Sequence, residues 1–186
     1  KRYATTGVLD GVAVDLSREL ARRVGVPVKL IPYQSAGKIS TDGRTAAWDL
    51  AFLAIDPARA IYIGYTAPYL ELEGTYLVPP GSPLQRIGEV DREGVRIGVT
   101  ANSAYDLFLG RRLKHARLVR FATTPIAIDQ LVQQKLDAVD AVRTALIPGA
   151  PHIPGSRVLD GHFMTIPQAA AVPKSRSAAL RYVANF

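Results

Sequence analysis

The chain has 186 residues, of which 48% are hydrophobic and 21% charged, and carries a formal net charge of +7. That length and balance suit a globular protein with a real core, built as one domain or two small lobes. The absence of cysteine excludes disulfides and thiolate metal sites, and no apolar run approaches the roughly 18 residues that a membrane span needs. No basic-then-apolar leader opens the chain, so any export signal is expected to have been removed or never present. The basic residues are dispersed. Arg22-Arg23, and Arg111-Arg112 with Lys114, read as solvated helix faces, which argues against a nucleic-acid partner and leaves a general pull on anionic solutes.

Leu16, Leu20 and Val24 recur at helical spacing, with Asp15 near the start and Gly25 just past the end. This predicts an amphipathic helix over 14–24 with a glycine stop. Val28–Tyr33 reads as a strand. Residues 34–48 are poorly patterned, and Thr41-Asp42-Gly43 is expected to interrupt any helix there. Asp49–Ile55 reads as a buried strand and Gly74–Val78 as another, closed by Pro79-Pro80-Gly81-Ser82-Pro83. Val95–Val99 is predicted as a strand leading into a helix over about 103–114, and Val119–Phe121 as a short strand. Thr124-Pro125 then opens a helix with a cap and an N1 proline. Ala138–Val142 is a strand, followed by a proline-rich loop (Pro148, Pro151, Pro154). Arg157–Leu159 and Met164–Val172 are further strands, and a last helix runs from Ser175 to Phe186. The alternation of strands and helices predicts an α/β fold with largely parallel sheets.

Two stretches carry candidate chemistry. Asp56-Pro57-Ala58-Arg59 follows the strand over 49–55, so Arg59 stands just past a strand end. A guanidinium there calls for an anion, since it stays charged and forks onto a carboxylate through two hydrogen bonds. Thr100-Ala101-Asn102-Ser103-Ala104-Tyr105 links a strand to a helix start, where unpaired N–H groups and the positive end of the dipole suit an anion. Asn102 and Ser103 serve equally as plain helix caps. Phe52, Tyr69 and Tyr33 are candidate stacking aromatics, with plain core packing as the other reading. Trp48 reads as packing. Tyr3 is uninformative. His115, His152 and His162 have no metal-ligand spacing, and neither a G-x-S-x-G elbow nor a P-loop occurs, so no metal or cofactor is implied.

The ordered set of segments resembles the periplasmic solute-binding proteins of family 3, the receptors of polar amino acid ABC importers. Asp56-Pro57-Ala58-Arg59 with Tyr65-Thr66-Ala67-Pro68-Tyr69 is similar to the family's T-x-x-R…F-S-x-P-Y. Gly11–Leu16 with Glu19–Ala21 and Val24–Val28 resembles its G-F-D-V-D-L…I-A…L-G. Gly94–Val99 with Asn102-Ser103 resembles G-K-x-V-G-V…G-S, and Lys135–Val139 resembles G-x-x-D-A. The resemblance implies a two-lobed, type 2 periplasmic-binding-protein-like α/β fold with mixed, mostly parallel sheets and flanking helices. Lobe 1 would take residues 1–72 and 164–186, and lobe 2 residues 73–163. Relative to the family pattern, a first strand and the rest of a terminal helix fall beyond the ends of this chain. The implied function is a periplasmic, monomeric receptor that closes on a small solute and presents it to a membrane permease.

In the family's amino acid receptors, hydroxyls stand five and seven residues before the arginine, and an aspartate five residues after that of D-A holds the α-ammonium. The matching positions here are Ala54, Phe52 and Val142. The resemblance thus implies a carboxylate clamp without an ammonium anchor, favouring an organic acid over an amino acid. The implied ligand-binding set is Arg59, Asp56, Phe52, Ala54, Tyr69, Thr100, Asn102, Ser103, Ala104, Tyr105 and Val142. Two alternatives stay open on the same fold: a prephenate- or arogenate-type dehydratase using Glu71 or Glu73 as an acid, and the sensing domain of a LysR-type regulator.

Overall fold

The computed structural model describes residues 8–186; Tyr3 and the rest of 1–7 lie outside them. Helix α1 (Val12–Val24) keeps the expected stop, with Gly25 in the left-handed region at φ 75°. The expected strand over Val28–Tyr33 does not form. Pro27 and Pro32 withdraw two N–H donors, and no described strand pairs with the segment. The expected break over 34–48 is also corrected, because helix α2 (Ala36–Gly43) forms there under a Ser35 cap. Lys38 Nζ donates to Asp42 at 2.6 Å, one helical turn on, and Trp48 Nε1 donates to the Ile39 carbonyl at 2.9 Å. These contacts outweigh the turn-forming character of Thr41-Asp42-Gly43. Trp48 is buried packing, as expected.

The remaining strands form one seven-stranded sheet in the order β1-β7-β2-β5-β3-β4, with β6 paired to β2. They are β1 (Ala51–Ala54), β2 (Ile63–Val78), β3 (Arg96–Thr100), β4 (Arg117–Phe121), β5 (Ala138–Val142), β6 (Arg157–Val158) and β7 (Met164–Pro173). Pairing is parallel among β4, β3 and β5, where the chain alternates strand and helix, and antiparallel elsewhere. Strand β2 is far longer than the predicted 74–78, because it absorbs Tyr65–Tyr69. The ladder to β7 shifts register on both sides of Pro68, which has no N–H to donate.

Helix α3 (Ala104–Arg112) packs on one face of β3 and β5, over a core of Tyr76, Ile97, Leu109 and Ala138. Helices α4 (Thr124–Gln133) and α5 (Arg143–Gly149) cover the other face, over Leu77, Ile128, Leu131, Val139 and Leu146. Thr123 caps α4, one residue before the expected cap. Part of the expected proline-rich loop is α5, with Pro148 in its last turn. Helix α6 (Ser177–Ala184) closes the described chain.

Trp48, Leu53, Ile63 and Ala171 form a third core at the β1 end. A small fourth cluster, Ala54 with Ala104 and Ile166, joins the β1/β7 end of the molecule to the start of α3. The functional geometry lies at this junction.

Candidate ligand-binding site

A cavity of about 350 Å³ opens at that junction. One wall is Phe52, Leu53 and Ala54 of β1, Ile166 and Gln168 of β7, and Tyr33 to Ala36 with Ile39 around the start of α2. The other is Thr100 of β3, Ser103 to Tyr105 at the start of α3, Thr123 to Pro125 at the start of α4, and Val142 at the end of β5. None of the described lining residues is acidic or basic.

Three helices therefore begin on this cavity, and each places its cap residue on the lining. Ser35 Oγ accepts from the Lys38 N–H at 3.3 Å, Ser103 Oγ from Asp106 at 3.1 Å, and Thr123 Oγ1 from Ile126 at 3.5 Å. Each cap serves a donor of the third helical position. The earlier N–H groups have no intrahelical partner, so the ends of α2, α3 and α4 all present positive potential to the same space. A hydroxyl chain ties two of them together: Thr100 Oγ1 lies 2.9 Å from Thr124 Oγ1, which lies 3.1 Å from the Tyr105 hydroxyl. Burial pushes the pKa of Tyr105 up, and burial followed by a hydrogen bond to Asp42 does so for Tyr33. Both phenols stay neutral.

Arg59 is not on the lining. It sits in the turn after β1, 1% exposed, with Nη1 donating to the Ala54 carbonyl at 3.3 Å and Nη2 to the Asn102 carbonyl at 2.7 Å. Its Nε has no partner among the described residues. Burial lowers its pKa, opposed by nearby Tyr65 and Asp56. Asp56 is also off the lining and buried. Its Oδ2 accepts from Arg111 Nη2 at 2.9 Å and its Oδ1 from the Ala58 N–H at 2.9 Å. The Asp56–Arg59 turn thus grips α3 at both ends, through Asn102 before its first turn and Arg111 in its last.

Asn102 takes a left-handed backbone, φ 57°, and its N–H donates to Asp106 Oδ2 at 2.8 Å. Gly37 of α2 packs against it so closely that a Cβ there would lie 2.8 Å from the Asn102 Cβ. Only glycine permits that approach.

Of the residues expected at a ligand, the cavity brings together Phe52, Ala54, Thr100, Ser103, Ala104, Tyr105 and Val142. Arg59, Asp56 and Asn102 stand behind it. Tyr69 meets Phe52 edge-on, ring centroids 5.7 Å apart, but lines a separate hollow with Leu16, Leu20 and Phe186. Glu71 and Glu73 are also off the cavity. A hydrogen bond from Arg143 Nε, 2.8 Å long, holds the Glu73 carboxyl below its usual pKa. Among the described residues no group of three or more His, Cys, Asp or Glu is placed to hold a metal. Sequence reasoning missed Ser35, Thr123, Thr124, Ile166 and Gln168. Ser35 and Thr123 were legible as caps, whereas nothing local marks Gln168.

Residues 2–186 match the bacterial extracellular solute-binding proteins, family 3. The chain belongs to this family. The type 2 binding-protein fold recurs in solved structures of low sequence identity. Holo ArgBP from T. maritima is 20% identical with a TM-score of 0.83, over 99% of this chain and 81% of that one. An ancestral arginine-binding protein bound to glutamine is 21% identical with a TM-score of 0.82, over 99% and 82%. The ancestral amino acid-binding protein AncCDT-1, a precursor of cyclohexadienyl dehydratase, is 22% identical with a TM-score of 0.78, over 99% and 80%. No described helix is long and apolar enough to cross a membrane.

Proposed function

We propose that this family 3 protein is the periplasmic receptor of an ABC importer for a small organic acid. The observation that carries this reading is the convergence of three capped helix N-termini on a cavity whose described lining residues carry no charge. Such a site favours an anion and has nothing to balance a cation. The ligand carboxylate lies at the first turns of α3 and α4, among the hydroxyls of Ser103, Thr124 and Tyr105. Arg59 then acts as a positioning residue, holding the Asn102 carbonyl and with it the start of α3. An α-amino acid would bring an ammonium to a wall where Val142 offers no carboxylate. Burying that charge unpaired costs several kcal/mol.

Of the described residues, 8–72 and 164–186 form one lobe and 73–163 the other, joined where β2 and β7 cross near Leu72–Thr75 and Gly161–Met164. Ligand binding closes the lobes by hinge motion, and the closed monomer is what the membrane permease recognises. The reading as a receptor rather than a dehydratase is supported by the lack of an acid or histidine among the described lining residues, with Glu73 engaged by Arg143. Small-angle scattering tests it: saturation with the tightest-binding acid of a panel should reduce the radius of gyration. Tight binding without compaction would argue for a rigid enzymatic cleft.

A further inference from the structure

Between β1 and β2, the centre of β7 carries one polar side chain into the cavity. Gln168 pairs with Ala54 of β1 on one side and Leu70 of β2 on the other, so its backbone is fixed by two ladders. Strand alternation puts Ile166 and Gln168 on the same face, and both line the cavity. On that wall Phe52, Ala54, Ile166 and Ile39 are apolar, and Tyr33, Gln34 and Ser35 add polar groups from the segment that leads into α2. Its amide makes no hydrogen bond to a described residue, although two donors and an acceptor are available. The opposite wall is that of the α3 and α4 N-termini. The cavity therefore has an anion-favouring side, an apolar middle, and one unengaged neutral amide facing them from the sheet.

We propose that Gln168 is a specificity-determining residue, selecting acids whose apolar body ends in a neutral hydrogen-bonding group such as a hydroxyl or amide. This rests on the carboxylate reading above, because the carboxylate at α3 and α4 directs the far end of the ligand to β7. An acid with a bare hydrocarbon end leaves the amide without water or partner, a loss of about tenfold in affinity. An ammonium end finds only a neutral carbonyl oxygen. A glutamate at 168 would supply the missing charge, so this position sets the choice between hydroxyl and ammonium.

The test uses two matched triads as probes. One is pentanoate, 5-hydroxypentanoate and 5-aminopentanoate. The other is 3-phenylpropionate with its 4-hydroxyl and 4-aminomethyl derivatives. Calorimetry is run on the full chain and on Gln168→Leu and Gln168→Glu. The wild type should bind the hydroxylated member of at least one triad about tenfold more tightly than its parent. Gln168→Leu should abolish that difference, and Gln168→Glu should turn the preference to the ammonium member. Should Gln168→Leu fail to fold, Gln168→Glu, which keeps the shape of glutamine, carries the test alone. Equal binding of parent and hydroxylated acid by the wild type, or a preference that either variant leaves unchanged, would overturn the role of Gln168 and leave the carboxylate reading standing. Failure of the wild type to bind any of the six would overturn both.

Discussion

Arg59 Nη2 donates to the carbonyl of Asn102 at 2.7 Å, across 43 residues of sequence. This bond ties the turn after β1 to the residue that sets the direction of α3. The left-handed backbone at Asn102 stands immediately before the cap, Ser103, so any slack there passes directly into the first turn of the helix. Removal of the guanidinium leaves two carbonyl oxygens, of Asn102 and Ala54, without their donor. Arg59→Ala should therefore destabilise the fold by about 2–4 kcal/mol. Arg22→Ala, which removes an exposed partner of Glu19 on the surface of α1, should cost about 1 kcal/mol or less. Urea denaturation of both variants measures this. Equal costs would show that the Arg59–Asn102 bond carries no special weight.

Asp140 poses a separate problem inside β5. It is fully buried, neither carboxyl oxygen has a partner, and it pairs across the ladder with Tyr76. Burial, reinforced by nearby Asp106, raises its pKa well above the ordinary carboxyl value. A carboxyl whose folded pKa is raised contributes stability that is fully present below its unfolded pKa of about 3.9 and is lost as pH rises through the folded pKa. The stability of the wild type relative to Asp140→Asn, which cannot ionise, should thus fall as pH increases from about 4 upward. Thermal denaturation of the two proteins across pH 4–9 gives that difference directly. A difference that stays flat with pH would mean that Asp140 is ionised and paired in the fold.

Much of the fold was legible because its local signals agree with its packing. Ser103 caps α3 where the sequence offers a cap, α4 is capped within one residue of the expected position, and Ala138–Val142 is apolar enough to be read as a buried strand despite Asp140. Val28–Tyr33 has equally good strand character but no described partner, and pairing is a property that no local pattern contains. In α2 the opposite happened, since Tyr33 and Lys38 both bond Asp42 and hold a turn-prone segment helical. At the site, strand and cap signals located Thr100 and Ser103–Tyr105, whereas Phe52, Ala54 and Val142 were placed by the family resemblance. Neither revealed that Arg59 turns away from the cavity toward a backbone carbonyl 43 residues on. Gln168 was hidden for a similar reason: only the pairing of β7 with β1 puts it beside Ala54.

The central claim is that the cavity takes a carboxylate and has no place for an α-ammonium. Calorimetric titration with matched pairs tests it most directly: L-leucine against 4-methyl-2-oxopentanoate, L-phenylalanine against 3-phenyllactate, and L-glutamine against 2-hydroxyglutaramate. In each pair that binds, the acid without the amino group should be favoured by at least about tenfold, because the ammonium would be buried without a counter-charge. Equal or tighter binding of the L-amino acids would contradict the account.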